Sequence, residues 1–238
     1  MNFLNSAKKG STLNWKGQTV TIVRSKRKKT ASIMVERDGS ISILVPENMK
    51  ESLITEILDS NEYSIIKNQT LWHIANDGKE ERYFVNGQTF MFKGQNYSLN
   101  YKDDASAEVE FVNDSFLLGS SVKDPQGAFE RFYKEECKKF LAERFTVYKD
   151  KIPVQPQKIE VRQMSTRWGS CTPSGNININ WNCIMAPQFV FDYILVHELI
   201  HLKYHRHNDD FWQAVGFIIP DFETAKDWLL RNGVKMEI

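Results

Sequence analysis

Several features that would narrow the class of this chain are scarce or missing. Three cysteines, Cys137, Cys171 and Cys183, in 238 residues are too few and too scattered for a disulfide framework. They point to reduced thiols and a cytoplasmic location. No stretch approaches the ~18 consecutive apolar residues of a membrane-spanning helix. The first residues, Met1-Asn2-Phe3-Leu4-Asn5-Ser6, lack the apolar centre of a signal peptide. Charge of one sign is also lacking: the formal net charge is +1, so no global field draws the chain to nucleic acid or to a membrane surface. Neither an internal repeat nor a low-complexity segment is visible. What remains is a folded composition, 41% hydrophobic with 15 Phe, 8 Tyr and 6 Trp. That is enough for one large domain or two smaller ones.

Apolar periodicity divides the chain into β-rich and helical stretches. Residues 1–17 read as a lead-in or an edge strand. Extended runs follow at Gln18–Val23, Ala31–Glu36 and Ile41–Val45, with Asp38-Gly39 as a hairpin turn. One helix is expected over 49–76, its apolar residues Leu53, Ile57, Leu58, Ile65, Ile66 and Trp72, closed by Asn76-Asp77-Gly78. Residues 82–118 return to β-structure, with turns at Asn86-Gly87 and Lys93-Gly94. Asp124-Pro125 opens a long helix to about Lys149, and two strands are expected at Ile159–Met164 and Asn176–Trp181. Pro187 starts a further helix, and two more cover Asp209–Ile218 and Asp221–Arg231, with Gly233 as a cap. The order implies an α+β chain: an amino-terminal β-rich domain with one long helix over 1–120, then a second domain over 121–238.

The chemistry concentrates in Val196–His207, which holds four of the chain's five histidines. His197 and His201 are spaced to share one face of a helix, one turn apart. Two imidazoles so placed can grip one zinc ion, and Glu198 can reach a water bound to it. A zinc hydrolase needs a third protein ligand and an open position. His205 continues the ladder, but on a straight helix it lies about 12 Å from His197 at ~1.5 Å rise per residue, beyond what zinc bonds can close. His207 becomes available if the helix ends near Tyr204 and the chain folds back, and Asn208-Asp209-Asp210 supplies an N-cap for a following helix. Glu223 on the last helix is the other candidate. A pair of surface or core histidines is the bland alternative. Against it, Ile194, Leu195, Val196, Leu199, Ile200 and Leu202 make the helix apolar nearly all round, and burying a glutamate there is costly without a partner. In this expectation zinc acidifies and polarises, and Glu198 acts as general base toward an electrophilic carbonyl.

A set of motifs extends the pattern: T-R-W-G-S-C at 166–171, G-N-I-N-I-N-W at 175–181, Ala186-Pro187, the H-E-L-I-H-L run and H-N-D-D-F-W at 207–212. Together with S-K-R-K-K-T near the start and D-W-L-L-R-N-G near the end, they resemble the YgjP-like metal-dependent hydrolases, a zincin group near the SprT-like metallopeptidases. The resemblance implies His197, His201 and His207 as zinc ligands and Glu198 as the catalytic residue. It further implies a zincin-like domain with a small sheet and an HExxH helix. Asn182-Cys183, His205 and Tyr204 depart from the patterns of that group and of the metzincins. An edge strand beside such a site commonly pairs with an extended peptide. Arg167 and Trp168 are accordingly candidate substrate-binding residues, with an ion-pair partner and a core residue as the plain alternatives. Cys171 is more simply a small buried thiol than a ligand or nucleophile.

Three functions compete. The first is a zinc-dependent peptidase acting on peptides or proteins. The second is a metal-dependent nucleotide pyrophosphohydrolase, an assignment that part of the resembled family carries; Arg167 and the basic run Arg24–Lys29 would suit a triphosphate. The third is a nucleic-acid-associated module. The basic run sits between two expected strands with no interleaved aromatics, which favours a solvated turn over a nucleic-acid surface.

Overall fold

The computed structural model describes residues 11–26, 30–36, 38–76, 81–103, 108–164 and 167–238. Contacts divide the chain into two compact units, Met1–Gly78 and Lys79–Ile238. Both are mixtures of small sheets and helices. The expected turn residues Asp77 and Gly78, and Arg27–Lys29 of the basic run, lie outside the described residues.

In the first unit, β1 (Ser11–Trp15), β2 (Gln18–Ser25), β3 (Ser32–Val35) and β4 (Ile41–Pro46) form one sheet in the order β1-β2-β4-β3. The two hairpins β1/β2 and β3/β4 are antiparallel, and β2 runs parallel to β4. Val20, Ile22, Ile41, Ile43 and Val45 are buried in its core with Trp15. The helix expected over 49–76 is two helices, α1 (Glu51–Ser60) and α2 (Glu62–Asn76). Asn61 separates them: its side-chain amide donates to the Ile57 carbonyl at 2.8 Å and its own N–H to the Leu58 carbonyl at 3.1 Å. Such local bonds give the backbone an alternative to the regular ladder. The buried face is Ile54, Leu58 and Ile65, whereas Leu53 and Ile66 are exposed. Arg24, the first cation of the basic run, spends its guanidinium on the Glu47 and Met49 carbonyls at 2.8 and 2.9 Å.

The second unit begins with the same topology. β5 (Thr89–Phe92), β6 (Gln95–Lys102), β7 (Val109–Val112) and β8 (Ser115–Gly119) lie in the order β5-β6-β8-β7, with a parallel central pair between two antiparallel hairpins. Its first turn, Phe92-Lys93-Gly94-Gln95, matches Trp15-Lys16-Gly17-Gln18 of the first unit. Both turns place Lys and Gly at positive φ, 48° and 82° in one and 49° and 88° in the other, as tight hairpins with a right-handed twist require. A helix follows each sheet. In α3 (Pro125–Tyr148) the buried Phe129, Tyr133 and Phe140 repeat the spacing of Ile54, Leu58 and Ile65. The repeat that the sequence does not display is thus present in the fold.

Residues 82–119 therefore fall in the unit that carries the histidines, which differs from the expected boundary near 121. The reason is aromatic packing. Phe90 and Phe116 lie 4.5 and 5.2 Å from the Phe129 ring of α3, in the distance range of favourable ring pairs, and the Tyr133 hydroxyl donates to the Met91 carbonyl at 2.9 Å. Beyond α3 comes a second sheet, β10-β11-β9, of β9 (Lys158–Arg162), β10 (Gly169–Cys171) and β11 (Asn176–Asn180). β11 pairs parallel with β9 and antiparallel with β10, which makes β10 an edge strand. The chain then forms α4 (Gln188–Ile200), α5 (Asp209–Ile218) and α6 (Phe222–Asn232).

α4 is held from several sides. The Lys93 and Gly94 amides donate to the Ile184 and Met185 carbonyls, at 2.9 and 2.7 Å, just ahead of the helix. From α3, Phe140 packs edge-on against Phe191 at 4.9 Å. Arg144 grips Asp192 with two hydrogen bonds of 2.6 and 2.9 Å. This pair is nearly sequestered, its side chains only 11% and 6% exposed. Removing one partner strands the other charge in a dry environment. Asp192→Ala should lower unfolding stability by ~3–5 kcal/mol in urea titration, and Arg144→Met combined with Asp192→Leu should recover much of that loss.

Candidate metal centre

α4 is buried along almost its whole length, from Val190 to Ile200 with His197 half-buried. Regular helix ends at Ile200, and His201 is its C-cap. The chain turns at once, the Tyr204 N–H reaching the Ile200 carbonyl at 2.9 Å. The end comes a few residues before the position near Tyr204 expected from the sequence. α5 then starts behind Asn208, whose side chain accepts from the Phe211 N–H at 3.2 Å. His207 sits immediately before this cap, on the segment that folds back.

The reversal gathers His197, His201 and His207. One ring nitrogen from each lies within 4.8 Å of the others, and the Nε2 atoms of His197 and His207 are 3.0 Å apart. Tetrahedral coordination with bonds of ~2.0–2.1 Å places ligand nitrogens about 3.3 Å apart, so the donor set fits a metal ion of this size. Burial holds all three imidazoles below their ordinary range, His197 down to about 3. All three are therefore neutral at pH 7 with lone pairs to offer. The Nδ1 of His201 is within 2.9 Å of the Tyr204 carbonyl, which puts its proton there and leaves Nε2 to the cluster.

Glu198 is 7% exposed. Burial raises its carboxyl to about 8, opposed by the Arg167 guanidinium and by a hydrogen bond from the Cys171 backbone. A cation at the trio would add a second positive charge that favours the ionised form. The carboxyl rests against β10 at Gly169. A Cβ there would lie 2.7 Å from Glu198 Oε1 and 2.6 Å from Cγ. The three histidines, Glu198, Arg167 and the β10 edge border one cleft of about 640 Å³.

The remaining candidates separate clearly. Arg167 is exposed and lines the cleft. Trp168 does not: it is partly buried and packs on Gly233, whose missing Cβ would be 2.8 Å from its ring. This contact, rather than a left-handed cap, accounts for glycine at the end of α6, since Gly233 has φ −57°. Glu223 is outside the histidine cluster, its carboxylate 70% exposed and paired with Lys226 at 2.8 Å. His205 is exposed at the cleft rim, with Nδ1 3.0 Å from the His201 carbonyl. The Cys171 thiol is pushed up to about 11 by burial and by Glu198, so it stays protonated at neutral pH. Thr166 lies outside the described residues. Gly169, Tyr193 and the Arg144–Asp192 pair escaped the sequence reading; only the glycine between Trp168 and Ser170 was a visible signal.

Three neutral imidazoles beside a buried carboxyl group in an open cleft can hold a metal ion next to a proton acceptor. A family model for the YgjP-like metallopeptidase domain matches residues 29–232, and the chain belongs to that family. Among solved structures it is similar to the metallopeptidase zymogen abylysin of Pyrococcus abyssi, at 21% identity over 40% of this chain and 91% of that one, with a TM-score of 0.32. Curated proteins yield no match. Membership implies a divalent metal and a hydrolytic reaction. No helix among the described residues is long and apolar enough to cross a membrane.

Gly169→Ala is expected to drive Glu198 out of place while leaving the histidines untouched. Metal content of the purified variant should equal wild type, unfolding stability should fall by ~1–3 kcal/mol from overpacking, and hydrolysis should fall at least tenfold.

Proposed function

We propose that the protein is a zinc-dependent metallopeptidase with a zincin-like active site, in which His197, His201 and His207 hold the metal and Glu198 is the general base. The observation that carries this reading is the convergence of three imidazole nitrogens within 4.8 Å beside a buried glutamate that opens on the same cleft. Zinc, when bound, supplies a Lewis acid that acidifies water and stabilises negative charge. Glu198 takes the proton from the attacking water and returns it to the leaving amine. Its carboxyl stays in reach because Gly169 leaves room for it and Cys171 donates to it.

A peptide suits the cleft better than a compact ligand does. β10 is an edge strand and borders the cleft through Gly169, Ser170 and Cys171. Asn180 and Thr172 already bond across to Trp168 and Asn176. In antiparallel pairing the residues between them, Gly169 and Cys171, direct their backbone groups to the opposite side; the Cys171 N–H there is taken by Glu198, which leaves the Gly169 groups and the Cys171 carbonyl. An extended substrate can add there as a further strand, with Arg167 at the rim to receive a carbonyl or a carboxylate. Among the described residues nothing comparable favours a nucleotide or a nucleic acid: Arg24 is engaged with backbone carbonyls in the first unit, and Arg167 is the one arginine among the described residues that line the cleft, a thin triphosphate site. A cytoplasmic location fits the reduced thiols.

Glu198→Gln should retain about one zinc per chain by elemental analysis and lose cleavage of an unfolded protein such as denatured casein by ~100-fold or more. His197→Ala should lose the metal itself. Full proteolysis by Glu198→Gln would sink the mechanism. Pyrophosphate release from nucleoside triphosphates that this substitution abolishes, with casein left intact by wild type, would replace the peptidase reading.

A further inference from the structure

The three imidazoles are supported unequally. His201 has a short bond to the Tyr204 carbonyl, 2.9 Å. His197 has the Tyr193 hydroxyl 3.4 Å from Nδ1, a long contact by the usual standard for O–H bonds. His207 lies on an exposed segment outside any helix, and its ring rests on Trp212 at 5.5 Å and 22°. A metal ligand in such a segment needs something to hold its ring before the ion arrives.

Direct support comes from Phe211 and Trp212 of α5, and Trp212 is in turn backed by α6, which adds no member to the histidine cluster. Phe222, its first residue, stacks on Trp212 at 5.4 Å and 14°, and on Tyr193 at 6.4 Å and 17°. The rings Tyr193, Phe222, Trp212 and His207 thus form a continuous pile that begins at the hydroxyl beside His197 and ends on His207 itself. One turn further along α6, Lys226 sits 4.8 Å from the Trp212 ring and 5.6 Å from Phe222. It is fixed there by Glu223 at 2.8 Å, and a cation over ring faces adds to the pile.

We propose that Phe222 is a positioning residue for the metal site, a wedge through which the carboxyl-terminal helix holds His197 and His207 in their ligating orientations. The proposal rests on the zinc reading above. Its energetic basis is preorganisation: rings locked by stacking lose less freedom when the ion binds. Without Phe222, one face of Tyr193 and one face of Trp212 lose their neighbour, and the edge contacts of the buried Phe211, 4.9 Å from His197 and 4.7 Å from His207, are left to orient rings that the pile no longer backs. Outer-shell partners of this kind change metal affinity by ~10–100-fold.

The test uses the full chain, stripped of metal with a chelator and titrated with zinc against a chromophoric competitor. Cobalt(II) absorption serves as the readout of coordination geometry, and circular dichroism as the check of folding. Phe222→Ala should weaken zinc binding ~10-fold or more and alter the cobalt spectrum. Phe222→Leu, which keeps most of the volume without a flat ring, should fall between it and wild type. Tyr193→Phe keeps the pile but removes the hydroxyl, and should weaken binding with a smaller spectral change. If Phe222→Leu folds and binds zinc with the wild-type constant and spectrum, the wedge is refuted, whether or not Phe222→Ala folds. If wild type itself binds neither zinc nor cobalt, the metal reading fails, a result distinguishable from failure of the wedge alone.

Discussion

The site depends on one costly arrangement: a carboxyl group, Glu198, kept in a dry layer on a helix that is apolar on nearly every side. Water would solvate that group far better than the interior does. The surroundings therefore have to be shaped around it. Glycine at 169 gives it space, the Cys171 backbone gives it a donor, and Arg167 gives it a compensating charge. The same burial holds the neighbouring imidazoles neutral. One desolvated layer thus sets the state of both the imidazoles and the carboxyl group.

A buried helix also has to stop. α4 ends at Ile200, and the turn after it is what allows His207 to reach the trio. Helices α5 and α6 frame this ending from outside, α5 through the Asn208 cap and α6 through its rings. On the opposite side, Arg144 and Phe140 hold the helix against α3. The histidine-bearing end is therefore built by elements on both sides of the motif in the chain, although the motif itself spans a dozen residues.

What could be read from the sequence follows from how local each signal is. The i, i+4 histidines, Asn208 as a cap and the full extent of α5 depend on neighbours within a turn or two. The long α3 was legible from Asp124-Pro125 and its aromatic stripe for the same reason. Less legible was whatever depends on distant partners. β10 is three residues long and contains a glycine, so no alternation marks it; its identity as a strand comes from pairing with β11. The boundary after residue 78 is set by the packing of Phe90 and Phe116 on α3, which no turn signal near Ser121 reveals. Asn61 breaks a helix whose apolar pattern runs on across it, because a side-chain amide competes for the backbone. Trp168 sat in a suggestive motif, yet its ring is claimed by Gly233, more than sixty residues away in sequence.

The duplicated hairpin framework gives the molecule an internal control. The turns Lys16-Gly17 and Lys93-Gly94 share sequence and backbone shape, so an added methyl group strains both to the same intrinsic extent. At Gly17 it would meet nothing within 4 Å, whereas at Gly94 it would strike Pro187 at 2.7 Å, where α4 begins. The difference between the two positions isolates tertiary constraint from local conformational preference. One copy of the turn has open space where the other is pressed against the start of α4.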